Sequence, residues 1–113
     1  MSITAAAVLC LSSVIHHEAR GEPREGQIAV ASVVLNRVED PRFPNTVCGV
    51  VEQPKQFSWY GKKPLTSQKE EMAKDILEGK IKRNVPKSLF FAHISVWFKR
   101  KVTRVIGQHR FYR

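Results

Sequence analysis

Apolar residues Ala7, Leu11, Val14 and Ile15 recur at helical spacing near the start of the chain, and Glu18 continues the same line. The pattern predicts a first helix from about Thr4 to Ala19, with Ser12, Ser13, His16, His17 and Arg20 off the apolar line. Gly21 suits the left-handed position that ends a helix, and Pro23 cannot continue it. A second stripe of Ile28, Ala31, Val34, Leu35 and Val38, with Val30 beside it, predicts a helix opened by Pro23. So short a turn predicts that the two helices pack as a hairpin or corner. That geometry brackets Glu18 and Glu22 at one end of the pair.

Further along, Asp40 to Asn45 is rich in turn residues, and Asn45 or Thr46 is placed to cap a short helix through Val51. Gln53 to Gly61 is irregular and aromatic. Ser67-Gln68-Lys69-Glu70 is a capping box. It opens a helix with Met72, Ala73, Ile76 and Leu77 inward, ended by Gly79. After Pro86 the pattern changes. Ser88 to His93, Val102 to Ile106 and His109 to Tyr112 read as two or three short strands, with Gly107-Gln108 as a turn. The fold class is therefore α+β: a mostly helical body with a small antiparallel β element near the C-terminus.

Length and composition add limits. A chain of 113 residues is one domain, 1–113, with room for its own core. With 42% hydrophobic and 26% charged residues it is globular and not disordered. No apolar run approaches the roughly 20 residues of a membrane span. Ile3 to Leu11 is apolar, but no Lys or Arg precedes it, so no signal peptide is expected. Cys10 and Cys48 form no CxxC pair and no metal-type spacing with His, so neither a metal nor a cofactor is expected. They read as two buried free thiols in preference to a disulfide.

Charge is unevenly placed. Residues 1–78 carry nine Lys/Arg and ten Asp/Glu, a net of −1. Residues 79–113 carry ten Lys/Arg and no acid, a net of +10. A single-sign segment on a balanced domain points to a polyanionic partner.

Glu18 is the leading chemical candidate. An acid on a core stripe is costly unless it is functional or paired, and a carboxyl half-withdrawn from water is what a general acid needs near neutral pH. The bland alternative is a pairing with Arg20 or Arg24. Glu22 stands four residues on, either in the same pocket or as ordinary dipole complementarity at the start of the second helix. Gln56-Phe57-Ser58-Trp59-Tyr60 mixes amide, hydroxyl and aromatic groups, which suits saccharide contacts or a loop plugged into the core. His93 and His109 at strand positions are more often structural than catalytic.

Taken together, these motifs resemble the SleB-type cell wall hydrolases, which include spore cortex-lytic enzymes and phage lysis proteins. The resemblance rests on Glu18-Ala-Arg-Gly-Glu22-Pro, the run from Glu25 to Val38, and Phe43 to Val51. Gln56-Phe57-Ser58 and Gly107 to Tyr112 complete it, so that it spans about residues 8–113. It implies a lysozyme-like fold and cleavage of the glycan strand of peptidoglycan by lytic transglycosylase chemistry. It also implies that Glu18 is the catalytic acid, and that Glu22, Gln56, Phe57, Ser58 and Tyr112 contact substrate. His17 stands where the family commonly has a small residue, and Ile94 follows His93 where Asn is expected.

The expected partners are peptidoglycan glycan strands and, through residues 79–113, the anionic cell-wall surface; nucleic acid is not expected. The expected state is a monomer acting at the bacterial wall. A lone catalytic module without a signal peptide resembles a phage product, made in the host cytoplasm or carried in the virion. Two rivals remain: a muramidase-type hydrolase, and a basic nucleic-acid-binding module using residues 79–113.

Overall fold

Thr4 opens the first helix: its Oγ1 accepts a hydrogen bond from the Ala7 N–H at 3.0 Å, satisfying a free donor of the first turn. The computed structural model describes residues 3–52, 67–96 and 98–113. In chain order the elements are α1 (Ala5–Ala19), α2 (Arg24–Glu39), α3 (Val47–Val51), α4 (Ser67–Leu77), β1 (Phe90–His93), β2 (Val102–Ile106) and β3 (His109–Tyr112). Gln56, Phe57 and Ser58 lie outside the described residues. Among the described residues, no helix is long and apolar enough to cross a membrane.

Helix α1 packs against α2, α3 and α4. Leu11, Val14 and Ile15 are fully buried, as their stripe predicts. Burying each contributes roughly 1.5–3 kcal/mol, which a 15-residue helix of marginal intrinsic stability requires. Ser12, Ser13 and His16 are also buried, because three neighbouring helices cover more than one side. Both serine hydroxyls donate to Leu9 O at 2.9 Å, so their burial leaves no unsatisfied donor. Helix α2 is central in the same way, with every residue from Ile28 to Val38 buried.

The expectation for the cysteines is corrected. Packing of α3 on α1 brings Cys10 and Cys48 to a Cα–Cα distance of 5.4 Å, and they form a disulfide. Periodicity within one segment carries no information about that contact, which joins residues 38 apart.

The three strands form one antiparallel sheet in the order β1-β3-β2. Phe91 pairs with Phe111, and Ile106 with His109 across the two-residue turn Gly107-Gln108. Gly107 has φ +56, the left-handed value that the first central position of such a hairpin turn requires. Phe111 and Ile106 join the helical core. On the outer face of β3, Arg110 donates to Ile94 O at 2.7 Å, and the Tyr112 ring meets Phe98 edge-on.

Buried polar groups of α2 set the sheet against the helices. Asn36 Nδ2 donates to Val85 O and Ser88 O, both at 2.7 Å, and Arg37 Nε donates to Leu89 O at 2.7 Å. The Arg37 guanidinium lies between the rings of Phe43 and Phe90, 5.0 and 5.3 Å from their centroids. Burial pulls its pKa down to about 10, which leaves it charged at neutral pH. These bonds hold the entry to β1 on the C-terminal half of α2.

The disulfide closes a loop spanning 38 positions, for which chain-entropy arguments give about 4 kcal/mol of stability. The double variant Cys10→Ser/Cys48→Ser is expected to unfold at lower denaturant by roughly that amount. Thiol titration of the unreduced, denatured protein is expected to find no free thiol; two reactive thiols would contradict the bridge.

Candidate active site

Glu18 occupies the last turn of α1 and is half-buried. The chain reverses immediately after it. Glu22 N–H donates to Ala19 O at 3.0 Å, with Arg20 at φ −62, ψ 129 and Gly21 at φ +87. Those angles define a type II turn, in which only the residue at Gly21 needs positive φ. The glycine expected to stop the helix is thus the pivot of the elbow between α1 and α2.

Glu22 leaves that elbow toward the sheet. Its side chain is 11% exposed, and Oε1 accepts a hydrogen bond from the Gln108 N–H at 2.8 Å. His109 Nδ1 is 3.3 Å from the same oxygen, at ion-pair distance but off the hydrogen-bond direction. A Cβ at position 107 would stand 2.6 Å from Oε1, so the carboxylate reaches the turn because residue 107 is glycine. Burial lowers the pKa of His109, against the opposing attraction of Glu22. The ring is therefore neutral at neutral pH. Burial, then the nearby Arg20 and Lys69 cations, lower the pKa of His16 too.

Two candidates for a second carboxylate beside Glu18, Glu22 and Asp40, are engaged by other groups. Glu22 is committed to the hairpin turn. Asp40 caps the far end of α2, about 24 Å along a 16-residue helix from the elbow. It bonds the Arg42 side chain through both oxygens at 2.9 Å, and those bonds hold its pKa at about 2. Residues 53–66 contain no Asp or Glu.

The structure thus has Glu18 and Glu22 flanking one elbow and places Gly107, Gln108 and His109 beside Glu22. Tyr112 lies three residues further along β3 and is fully buried, its hydroxyl 3.5 Å from Val96 O. It presents no side-chain surface to solvent. His93 is exposed at the end of β1, with Nδ1 engaged by Ser95 at 2.8 Å. The contact between Glu22 and Gln108 joins residues 86 apart, which single-sequence reading does not pair.

The Cell Wall Hydrolase family model matches residues 21–112, beginning just after Glu18. The chain belongs to this family. A spore cortex-lytic enzyme of Bacillus subtilis is 43% identical over 65 residues, 58% of this chain and 21% of that protein. One from Oceanobacillus iheyensis is 50% identical over 48 residues, 42% of this chain and 17% of that protein. The matched stretches thus span about a fifth of the length of these curated relatives. Two solved structures superpose on nearly the whole chain. The catalytic domain of the Bacillus cereus SleB protein has TM-score 0.86 at 27% identity, covering 99% of this chain and 93% of that one. The catalytic domain of the germination-specific lytic transglycosylase SleB from Bacillus anthracis has TM-score 0.85 at 27% identity, covering 99% and 98%. The fold is the lysozyme-like one expected.

Replacing Glu22 by Ala is expected to lower stability by about 1.5–3 kcal/mol, the usual worth of a hydrogen bond to a charged acceptor. Glu22→Gln is expected to recover most of the loss, because its amide oxygen accepts the same N–H. Urea unfolding of the two variants checks this. Equal loss in both would mean that charge, and not the acceptor, holds the turn.

Proposed function

We propose that residues 1–113 act as a single catalytic domain that cleaves the glycan strand of peptidoglycan as a lytic transglycosylase, at the bacterial cell wall. The observation that carries this reading is the half-buried Glu18 at the end of α1, beside an elbow whose other carboxylate is engaged elsewhere. Membership of the Cell Wall Hydrolase family and the likeness to SleB catalytic domains support it. The family relatives named above are bacterial spore enzymes, and none of them supports a phage origin.

In this mechanism Glu18 begins protonated and donates its proton to the oxygen between N-acetylmuramic acid and N-acetylglucosamine. The bond from the muramyl C1 to that oxygen breaks, and the N-acetylglucosamine leaves as an alcohol. The muramyl 6-hydroxyl closes onto C1 and gives up its proton to the Glu18 carboxylate, which restores the starting state. The product is a 1,6-anhydromuramyl end, and no water is consumed. Glycosidases that hydrolyse usually need two carboxylates at a set separation. An internal nucleophile removes that need, which suits a site where Glu22 is held at 2.8 Å by Gln108.

Glu22 then acts as a positioning residue and not as a substrate contact. Its bond to the β2–β3 turn sets the elbow, and therefore Glu18, against the end of the sheet. Gln56, Phe57 and Ser58 stay the proposed saccharide contacts, with amide and hydroxyl groups reading sugar hydroxyls and the ring covering a sugar face.

Glu18→Gln keeps the size of the side chain and removes the transferable proton. Clearing of a purified wall suspension is expected to slow by roughly 10²–10⁴-fold, the range for loss of a general acid. Clearing at the wild-type rate would remove Glu18 from the chemistry.

A further inference from the structure

A concave surface lies at the open end of the β2–β3 hairpin, away from the turn that Glu22 holds. It is a cleft of about 340 Å³ between residues 84–88 and β2, which is an edge strand of the sheet. Lys87, Lys101, Arg104 and Arg113 stand around it, all exposed. An adjoining cleft of about 390 Å³ shares Lys87 and Arg113, so the basic surface continues past the first.

No acid in the described residues lies within ion-pair distance of these four cations. Residues 79–113 contain no Asp or Glu, and neither do residues 53–66. Among the described residues Arg42, Lys80 and Arg83 form ion pairs, and Lys87, Lys101, Arg104 and Arg113 form none. The acids on the rim of the adjoining cleft are already engaged, Glu39 by Arg83 and Asp40 by Arg42. Arg104 is held across the cleft by a bond from its NH1 to Asn84 O at 3.1 Å. Four like charges around one concavity repel each other until an anion enters.

Charge density and lining select the anion. One carboxylate would leave most of the positive charge unmatched, whereas a polymer with a charge on every repeat matches it. Guanidinium and ammonium groups together suit phosphate oxygens. The described lining of this cleft has no aromatic ring, which removes the stacking platform used for single-stranded nucleic acid. We propose that this cleft docks a phosphodiester-linked anionic polymer of the cell wall and holds the enzyme on its substrate. The choice of a wall polymer over other phosphodiesters rests on the wall-acting function proposed above; the binding site itself rests on the cleft.

Sedimentation of the full chain with purified walls in the cold tests this. Wild-type affinity is expected to fall about tenfold on walls stripped of phosphodiester polymer by hydrofluoric acid. Lys87→Glu/Lys101→Glu is expected to lose a similar factor on intact walls, with a shallower salt dependence. Neither of those exposed side chains hydrogen-bonds another described residue, so the melting temperature of this variant is expected to stay at the wild-type value. Equal binding to stripped walls, undiminished binding by the double variant, or better competition by duplex DNA than by the isolated wall polymer would each overturn the proposal. Glu18→Gln is expected to bind like wild type. A lytic Glu18→Gln would end the catalytic reading and leave this binding result standing.

Discussion

The hydrogen bond from Gln108 N–H to Glu22 Oε1, 2.8 Å long, joins the helical elbow to the sheet. Two glycines make it available: Gly21 turns the chain with φ +87, and Gly107 lets the carboxylate approach. At the other end of α2, Asn36 and Arg37 hold the segment that enters β1. Helix α2 is thereby fastened to the sheet near both of its ends. Glu18, one residue from the end of α1, inherits its position from that frame. The same bond occupies the one acid near it in sequence, so the constraint that builds the site also limits its chemistry.

Charge is divided along the chain in a way that fits two tasks. The elbow holds carboxylates beside neutral histidines, with His109 kept uncharged by burial. The open end of the hairpin holds uncompensated cations around a cleft. Strands of four or five residues separate the two by roughly 13 Å, at about 3.3 Å per residue. Under the proposed function, bond cleavage takes place at one end of the small sheet and wall attachment at the other.

Much of this was legible in local signals. Thr4, Thr46, Gly21, Gly79 and Gly107 mark ends and turns, and each does so through chemistry confined to a few residues. The helical stripes and the three strands follow from periods that the backbone imposes. What was not legible depended on neighbours. Periodicity finds the stripe that one helix must bury, but not how many partners surround it, so the burial of Ser12, Ser13 and His16 is not legible in it. Cys10 and Cys48 meet only because α3 packs on α1. Tyr112 sits on a central strand covered on both faces, which alternation does not distinguish from a strand open on one side. Glu22 carries no sign in the sequence of a partner 86 residues away.

The central claim is that Glu18 acts without a second carboxylate, on a glycan that supplies its own nucleophile. Mass spectrometry of the fragments released from purified peptidoglycan reads this directly. The account predicts fragments ending in 1,6-anhydromuramic acid, each lighter by one water than its hydrolytic counterpart. Fragments ending in reducing muramic acid would contradict it, because they require an activated water and a group to activate it.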